Sequence, residues 1–156
     1  MKYLAILCLL VSAAFAQTPI QNFFGGGVSF NNAGSPAVAG TAFFAKSVND
    51  GSGTYAFTAV DLLPNSLKPL TVTTNISTGI AQKVFSIGKY NVYAPITAGL
   101  SFQGSNVGWA WTGGGLVPIK VKNNWYIVPS VRFAKSSVSN GTGYQLIPGI
   151  AVAWGK

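Results

Sequence analysis

The sequence of 156 residues contains no histidine and no glutamate, and its only carboxylate side chains are those of Asp50 and Asp61. Nucleophilic catalysis needs a base beside the nucleophile, and zinc sites need clusters of histidine or cysteine. The two aspartates lie in different settings, one in a Gly/Ser turn and one beside Leu-Leu-Pro, so they do not form the carboxylate pair of a glycosidase. The sequence therefore predicts a protein that is not an enzyme, with no cofactor and no metal site.

The N-terminus has the features of a secretory signal peptide. A short positive start is followed by an apolar run at residues 3–11 and by the small-residue cleavage pattern Ala14-Phe15-Ala16. The run is far shorter than the ~20 residues that cross a bilayer as a helix. The single cysteine, Cys8, lies inside this run and is removed with it. We therefore expect a signal peptide over residues 1–16 and one disulfide-free domain over residues 17–156.

Charge is scarce and of mainly one sign. Charged residues make up 8% of the chain and hydrophobic residues 49%, whereas about a quarter of the residues in typical soluble domains are charged. This composition is too poor in charge for an ordinary water-exposed surface. The formal net charge is +8, but the lysines are scattered and form no patch. We therefore expect no nucleic-acid partner, and contact with anionic lipid headgroups explains the basic excess more simply.

Residues 90–103 alternate between two kinds of side chain. One set of alternate positions is apolar and the other is mostly small or polar: Val92, Ala94, Ile96, Ala98, Leu100 and Phe102 against Tyr93, Pro95, Thr97, Gly99, Ser101 and Gln103. Strand side chains alternate between two faces, so this segment is a predicted strand. Similar segments recur between Gly/Asn/Ser/Pro turns and give about eight strands of roughly ten residues. Hairpin connections favour an up-and-down antiparallel meander.

Three segments carry specific expectations. We expect "LPNSLKP", residues 63–69, to be a break between strands, and residues 107–122 to form one long strand. The second strand is ambiguous because Phe43 and Phe44 are adjacent and must point to opposite faces.

The two faces of the predicted strands favour a closed barrel in lipid. The second face carries mostly Gly, Ala, Ser and Thr, which fit inside a narrow barrel, while the apolar face can meet hydrocarbon. About 9–11 tilted residues cross a bilayer, and closure leaves no unpaired sheet edge. Aromatic residues near the strand ends are candidates for the two girdles at the lipid–water boundaries: Phe30, Trp109, Trp111, Trp125, Phe133, Tyr144 and Trp154.

The chain resembles the small eight-stranded outer-membrane β-barrel proteins of Gram-negative bacteria over nearly all of residues 17–156. The resemblance rests on its low charge, the length of its strands, their small-residue faces and the placement of its aromatic residues. The resemblance implies signal-dependent export, insertion by the barrel-assembly machinery, contact with outer-membrane lipid and both termini in the periplasm. The last strand of that family usually ends in an aromatic residue, whereas here Trp154 is third from the end.

The cations on the second face are the candidates for lumen-facing chemistry, namely Lys83, Lys120 and Arg132. We expect Lys83 and Lys120 to be solvated near the periplasmic ends of their strands. Arg132 lies deeper, either lining a narrow anion-preferring passage or bonding to carbonyls and hydroxyls in a plugged interior.

Two function classes follow. The first is an outer-membrane barrel, structural or weakly pore-forming. The second is a soluble secreted β-sandwich that acts as an adhesin, a lectin-like module or a fibre subunit, with its apolar face packed on another sheet or subunit.

Overall fold

The computed structural model describes residues 21–31, 37–49, 52–67, 70–138 and 145–156. The predicted signal peptide lies outside these residues. The described residues form nine strands, whose bounds are β1 Asn22–Asn31, β2 Ala37–Ser47, β3 Thr54–Leu67, β4 Leu70–Ile87, β5 Tyr90–Gln103, β6 Asn106–Leu116, β7 Ile119–Lys122, β8 Trp125–Ser136 and β9 Gln145–Gly155. Among them there is no helix with the length and apolar character needed to cross a membrane.

All strand pairs are antiparallel, and the sheet closes on itself. Each strand from β1 to β6 pairs with the next, β6 pairs with β8, β8 with β9, and β9 with β1. β7 continues β6 along the same partner: the two are separated only by Val117 and Pro118, and the Val117 N–H donates to the carbonyl oxygen of Pro129 at 3.1 Å. The ring therefore has eight positions, which confirms the predicted antiparallel barrel. The sheet does not form the two packed layers of a sandwich.

The hairpin of β3 and β4 is longer than the sequence suggested. We expected a break at residues 63–69, but β3 runs on to Leu67 and β4 begins at Leu70. The register shifts between Pro64 and Ser66. A proline has no N–H for the ladder, and a bulge lets the strand continue past it. The break between β3 and β4 is therefore shorter than the predicted residues 63–69, because the two strands include all of that segment except residues 68 and 69.

Polar and apolar faces are inverted relative to a water-soluble sheet. In β5, Ile96 and Leu100 are 63% and 54% exposed, whereas Thr97 and Ser101 are 2% and 0% exposed. The other strands also expose large apolar side chains, and most of the polar side chains that the barrel buries are small. Soluble sheets bury the apolar face instead. The apolar face predicted from the alternating sequence is therefore the outer surface of the barrel.

The interior also contains an aromatic cluster. It lies at the terminal end of the barrel, defined here as the end where the N–H of Gln21 donates to the carbonyl oxygen of Lys156 at 2.9 Å. The cluster consists of inward-facing rings: Phe23, Phe43, Tyr55, Phe57, Tyr93 and Tyr126. Phe43 points inward and its neighbour Phe44 outward, which settles the ambiguous second strand. A smaller buried apolar group lies toward the opposite end, which we call the far end: Ala39, Leu63, Ala134 and Ile147.

Candidate functional site in the barrel interior

Arg132 crosses the middle of the barrel to reach Asp61. In the ring, β8 and β3 are opposite each other, with three strand positions between them on either side. The guanidinium makes two hydrogen bonds to the carboxylate, Nη2 to Oδ1 at 2.7 Å and Nη1 to Oδ2 at 3.2 Å. Such forked pairs are among the stronger polar contacts in proteins. One ion pair therefore ties two opposite walls of the barrel together.

Thr41 on β2 completes this arrangement. Its hydroxyl accepts a hydrogen bond from Nη2 of Arg132 at 3.1 Å and donates one to Oδ1 of Asp61. Arg132 is 5% exposed and Asp61 1% exposed. We call these three residues the polar bridge. Removing two charges from water costs several kcal/mol for each ion, and the close geometry with its extra hydrogen bonds offsets that cost.

Smaller polar side chains occupy the walls that lie beside the bridge. The Thr97 hydroxyl donates to Ser77 Oγ at 2.9 Å and lies 2.7 Å from the Thr112 hydroxyl, and Ser101 donates to Asn75 Oδ1 at 2.7 Å. In this part of the interior, hydroxyl and amide groups of neighbouring strands therefore bond to one another. Asn75 Nδ2 is a buried donor with no protein partner among the described residues.

The terminal end of the interior is narrow and apolar. Aromatic rings meet there at short distances, with centroids 5.4 Å apart for Phe23 and Tyr126 and also for Tyr55 and Tyr93. The cavity between them has a volume of about 20 Å³, which is close to the space that one water molecule occupies. Its lining is Phe23, Ala45, Tyr55, Phe57, Ala81, Tyr93, Leu116 and Pro118. The polar bridge and the aromatic cluster therefore occupy the interior at two successive levels.

The structure separates the three candidate lumen cations. Arg132 is buried in the interior. Lys83 follows the buried Ala81 on the inward-facing positions of β4, and Lys120 is the cross-strand partner of the buried Tyr126, yet both lysines are exposed at the terminal end. Neither belongs to the polar bridge. The sequence offers Asp61 as the one carboxylate near a strand but does not assign it a partner, and Thr41 carries no signal beyond its place in an alternating strand.

The aromatic candidates face outward at both ends of the barrel. Trp125 and Trp154 are cross-strand partners at the terminal end, and Phe30, Trp109 and Phe133 lie toward the far end. Trp111 is half-buried and lies two positions further into β6 than Trp109. Tyr144 is outside the described residues. Two outward phenylalanines at the terminal end were not among the candidates: Phe44 and Phe85. That these outward aromatic residues form girdles at the membrane boundaries remains a prediction.

No protein-family model matches the chain, and no curated protein matches it. The solved structures that are similar in fold include the following two. One, described as "De novo design of transmembrane beta-barrels", has a TM-score of 0.53 and 12% identity over 91% of this chain and 100% of its own. The other is the outer membrane protein AlkL in lipid bilayers, with a TM-score of 0.51 and 12% identity over 92% of this chain and 94% of its own. The chain therefore has the fold of transmembrane β-barrels.

Proposed function

We propose that the protein is an integral outer-membrane β-barrel with an obstructed interior, which has a structural role or admits small solutes only weakly. The observation that carries the proposal is the inverted surface: the closed ring has an apolar outside, and its interior holds small polar side chains and a buried ion pair. A bilayer supplies hydrocarbon for the outward side chains. Closure of the sheet gives hydrogen-bond partners to the backbone N–H and C=O groups, which lipid cannot provide.

The polar bridge favours a plugged interior over an anion-preferring passage. The charge of Arg132 is matched by Asp61 within hydrogen-bond distance, so little net positive charge is available to a passing anion. The aromatic cluster adds a second obstruction at the terminal end. Both features support a barrel with low conductance, and we assign it no catalytic activity.

Export and assembly belong to the same proposal. The signal peptide over residues 1–16, the periplasmic placement of the termini and insertion by the barrel-assembly machinery follow from the resemblance to outer-membrane barrels. The soluble adhesin or lectin-like alternative would require the exposed apolar side chains to be covered by another protein surface.

The test is to fold residues 17–156 into detergent micelles, compare electrophoretic mobility with and without boiling, and then measure conductance in planar bilayers. We expect a mobility shift on boiling, solubility only with detergent, and a conductance far below that of an open porin. A folded, monodisperse protein in plain buffer would contradict the membrane assignment. A large, steady conductance of the unaltered protein would contradict the obstructed interior.

A further inference from the structure

Five lysines lie at the terminal end of the barrel, and we call them the lysine collar: Lys46, Lys83, Lys89, Lys120 and Lys122. They come from the end of β2, the end of β4, the turn between β4 and β5, and β7. Four are exposed, and Lys89 lies with its Nζ 5.1 Å from the ring centroid of Tyr90. The collar is therefore distributed around the ring from its second to its sixth position. Lys156 lies at the same end.

The opposite end carries less positive charge. In the described part of the chain its one lysine is Lys135, which is half-buried; Lys68, between β3 and β4, lies outside the described residues. The acidic side chains do not neutralise the collar. Asp61 is engaged with Arg132 in the interior, and Asp50, in the connection of β2 to β3, is one carboxylate against five lysines. The barrel is thus electrostatically polarised along its axis.

The outward-facing apolar side chains of the strands form a surface that we call the apolar belt, and the collar begins where this belt ends. On β2, Lys46 takes the outward-facing position next after the exposed Phe44. On β7, Lys122 is the cross-strand partner of Trp125, which is 52% exposed. Lysine side chains extend so that the stem covers apolar surface while the ammonium group reaches water. The ammonium groups of Lys46 and Lys122 therefore lie at the height of the lipid headgroups when hydrocarbon covers the belt. Lys83 and Lys120 follow inward-facing positions but are exposed at the same end of the barrel.

We propose that the lysine collar binds anionic phospholipid headgroups in the leaflet at the terminal end of the barrel. This inference rests on the membrane insertion proposed above. A headgroup layer contacts the edge of the apolar belt at every strand, and the collar is spread over that edge from the second to the sixth of the eight ring positions, with Lys156 after the eighth. A protein or nucleic-acid partner would be met by a one-sided patch. Basic residues near an anionic bilayer surface contribute attraction that decays within a Debye length, so salt must weaken the binding.

The test uses spin-labelled phosphatidylglycerol and phosphatidylcholine in phosphatidylcholine bilayers that contain the folded barrel. The fraction of motionally restricted label gives the relative association of each lipid with the protein. We expect the unaltered protein to prefer phosphatidylglycerol at low salt and to lose most of the preference in ~0.5 M salt. The quadruple variant Lys46→Gln, Lys83→Gln, Lys120→Gln, Lys122→Gln should reduce the preference at least about threefold.

Lys135→Gln is the matched control, because it removes one charge from the far end, and it should leave the preference nearly unchanged. Retention of the heat-modifiable band shows that the quadruple variant is folded. An equal preference in the unaltered and quadruple proteins would overturn the collar as the binding surface. An absence of motionally restricted lipid around the unaltered protein would instead overturn membrane insertion, so the two failures are distinguishable.

Discussion

At the scale of single residues, the polar bridge concentrates the strongest interactions of the interior. Asp61 and Arg132 are nearly inaccessible to water, and each is the partner of the other's charge. Breaking a buried ion pair by removal of one partner costs about 3–5 kcal/mol, because the remaining charge is left without compensation. Replacement of both partners removes that penalty. The two residues should therefore be strongly coupled in a double-mutant cycle.

We expect Asp61→Ala and Arg132→Ala each to lower the free energy of unfolding by about 3 kcal/mol or more, and the double variant to lose much less than the sum. The measurement is urea unfolding of the barrel folded into phospholipid vesicles. Lys83→Ala, which removes an exposed cation from the inward-facing positions of β4, is the control and should change stability by at most about 0.5 kcal/mol. Additive losses in the cycle would show that the two charges do not stabilise each other.

The orientation of Arg132 could be predicted from the sequence, but its partner could not, because the two residues are far apart along the chain. The alternation in residues 125–136 was enough to place Arg132 on the interior face, because it needs only local periodicity. Its partner is 71 residues away along the chain. Asp61 and Arg132 meet because the ring sets β3 opposite β8, and one strand's sequence does not contain that information. Thr41 was missed for the same reason.

At the scale of strands, the two-residue alternation of side chains and the residues typical of turns predicted most of the elements. Two prolines mark where the prediction and the structure differ. Pro64 was taken as part of a break, but the bulge between Pro64 and Ser66 keeps β3 in the ladder. Pro118 lies in the short gap that divides the long predicted strand into β6 and β7. A proline indicates a missing hydrogen bond, and the paired strand decides whether that ends the element.

The close approach of β4 and β5 gives an element-scale prediction. A Cβ at Gly79 would clash with the carbonyl oxygen of Ile96 and lie 2.8 Å from Thr97 Cα, both of which are backbone atoms. Gly79→Ala must therefore push the two strands apart, and we expect it to cost about 1–3 kcal/mol of unfolding free energy. The measurement is the urea midpoint in detergent micelles. Gly115→Ala is the control, since a Cβ there meets nothing within 4 Å. Equal midpoints for the two variants would contradict tight packing at this pair of strands.

At the scale of the whole molecule, the decisive property is what surrounds the apolar belt. Exposed apolar side chains are found on every strand of the ring, far beyond the few hundred Å² of continuous apolar patch that soluble monomers usually tolerate. Exposure alone does not distinguish lipid from a covering protein surface. Depth does, because the cost of a charge in a bilayer is greatest at the midplane and falls toward the headgroups.

Ile96 and Val107 provide a matched pair for this distinction. Their exposures are nearly equal, 63% and 62%, but Ile96 is at the middle of β5 and Val107 is the second residue of β6. In vesicles, we expect Ile96→Arg to cost about 2–4 kcal/mol of unfolding free energy and Val107→Arg about 0–1 kcal/mol. Water around the barrel would make both substitutions nearly neutral. If a protein partner covered the belt instead, the loss of unfolding free energy would not depend on the position of the arginine along the barrel axis. The difference between the two variants, measured by urea unfolding in the same vesicles, therefore tests the surrounding medium itself, and a difference near zero would contradict a barrel that spans lipid.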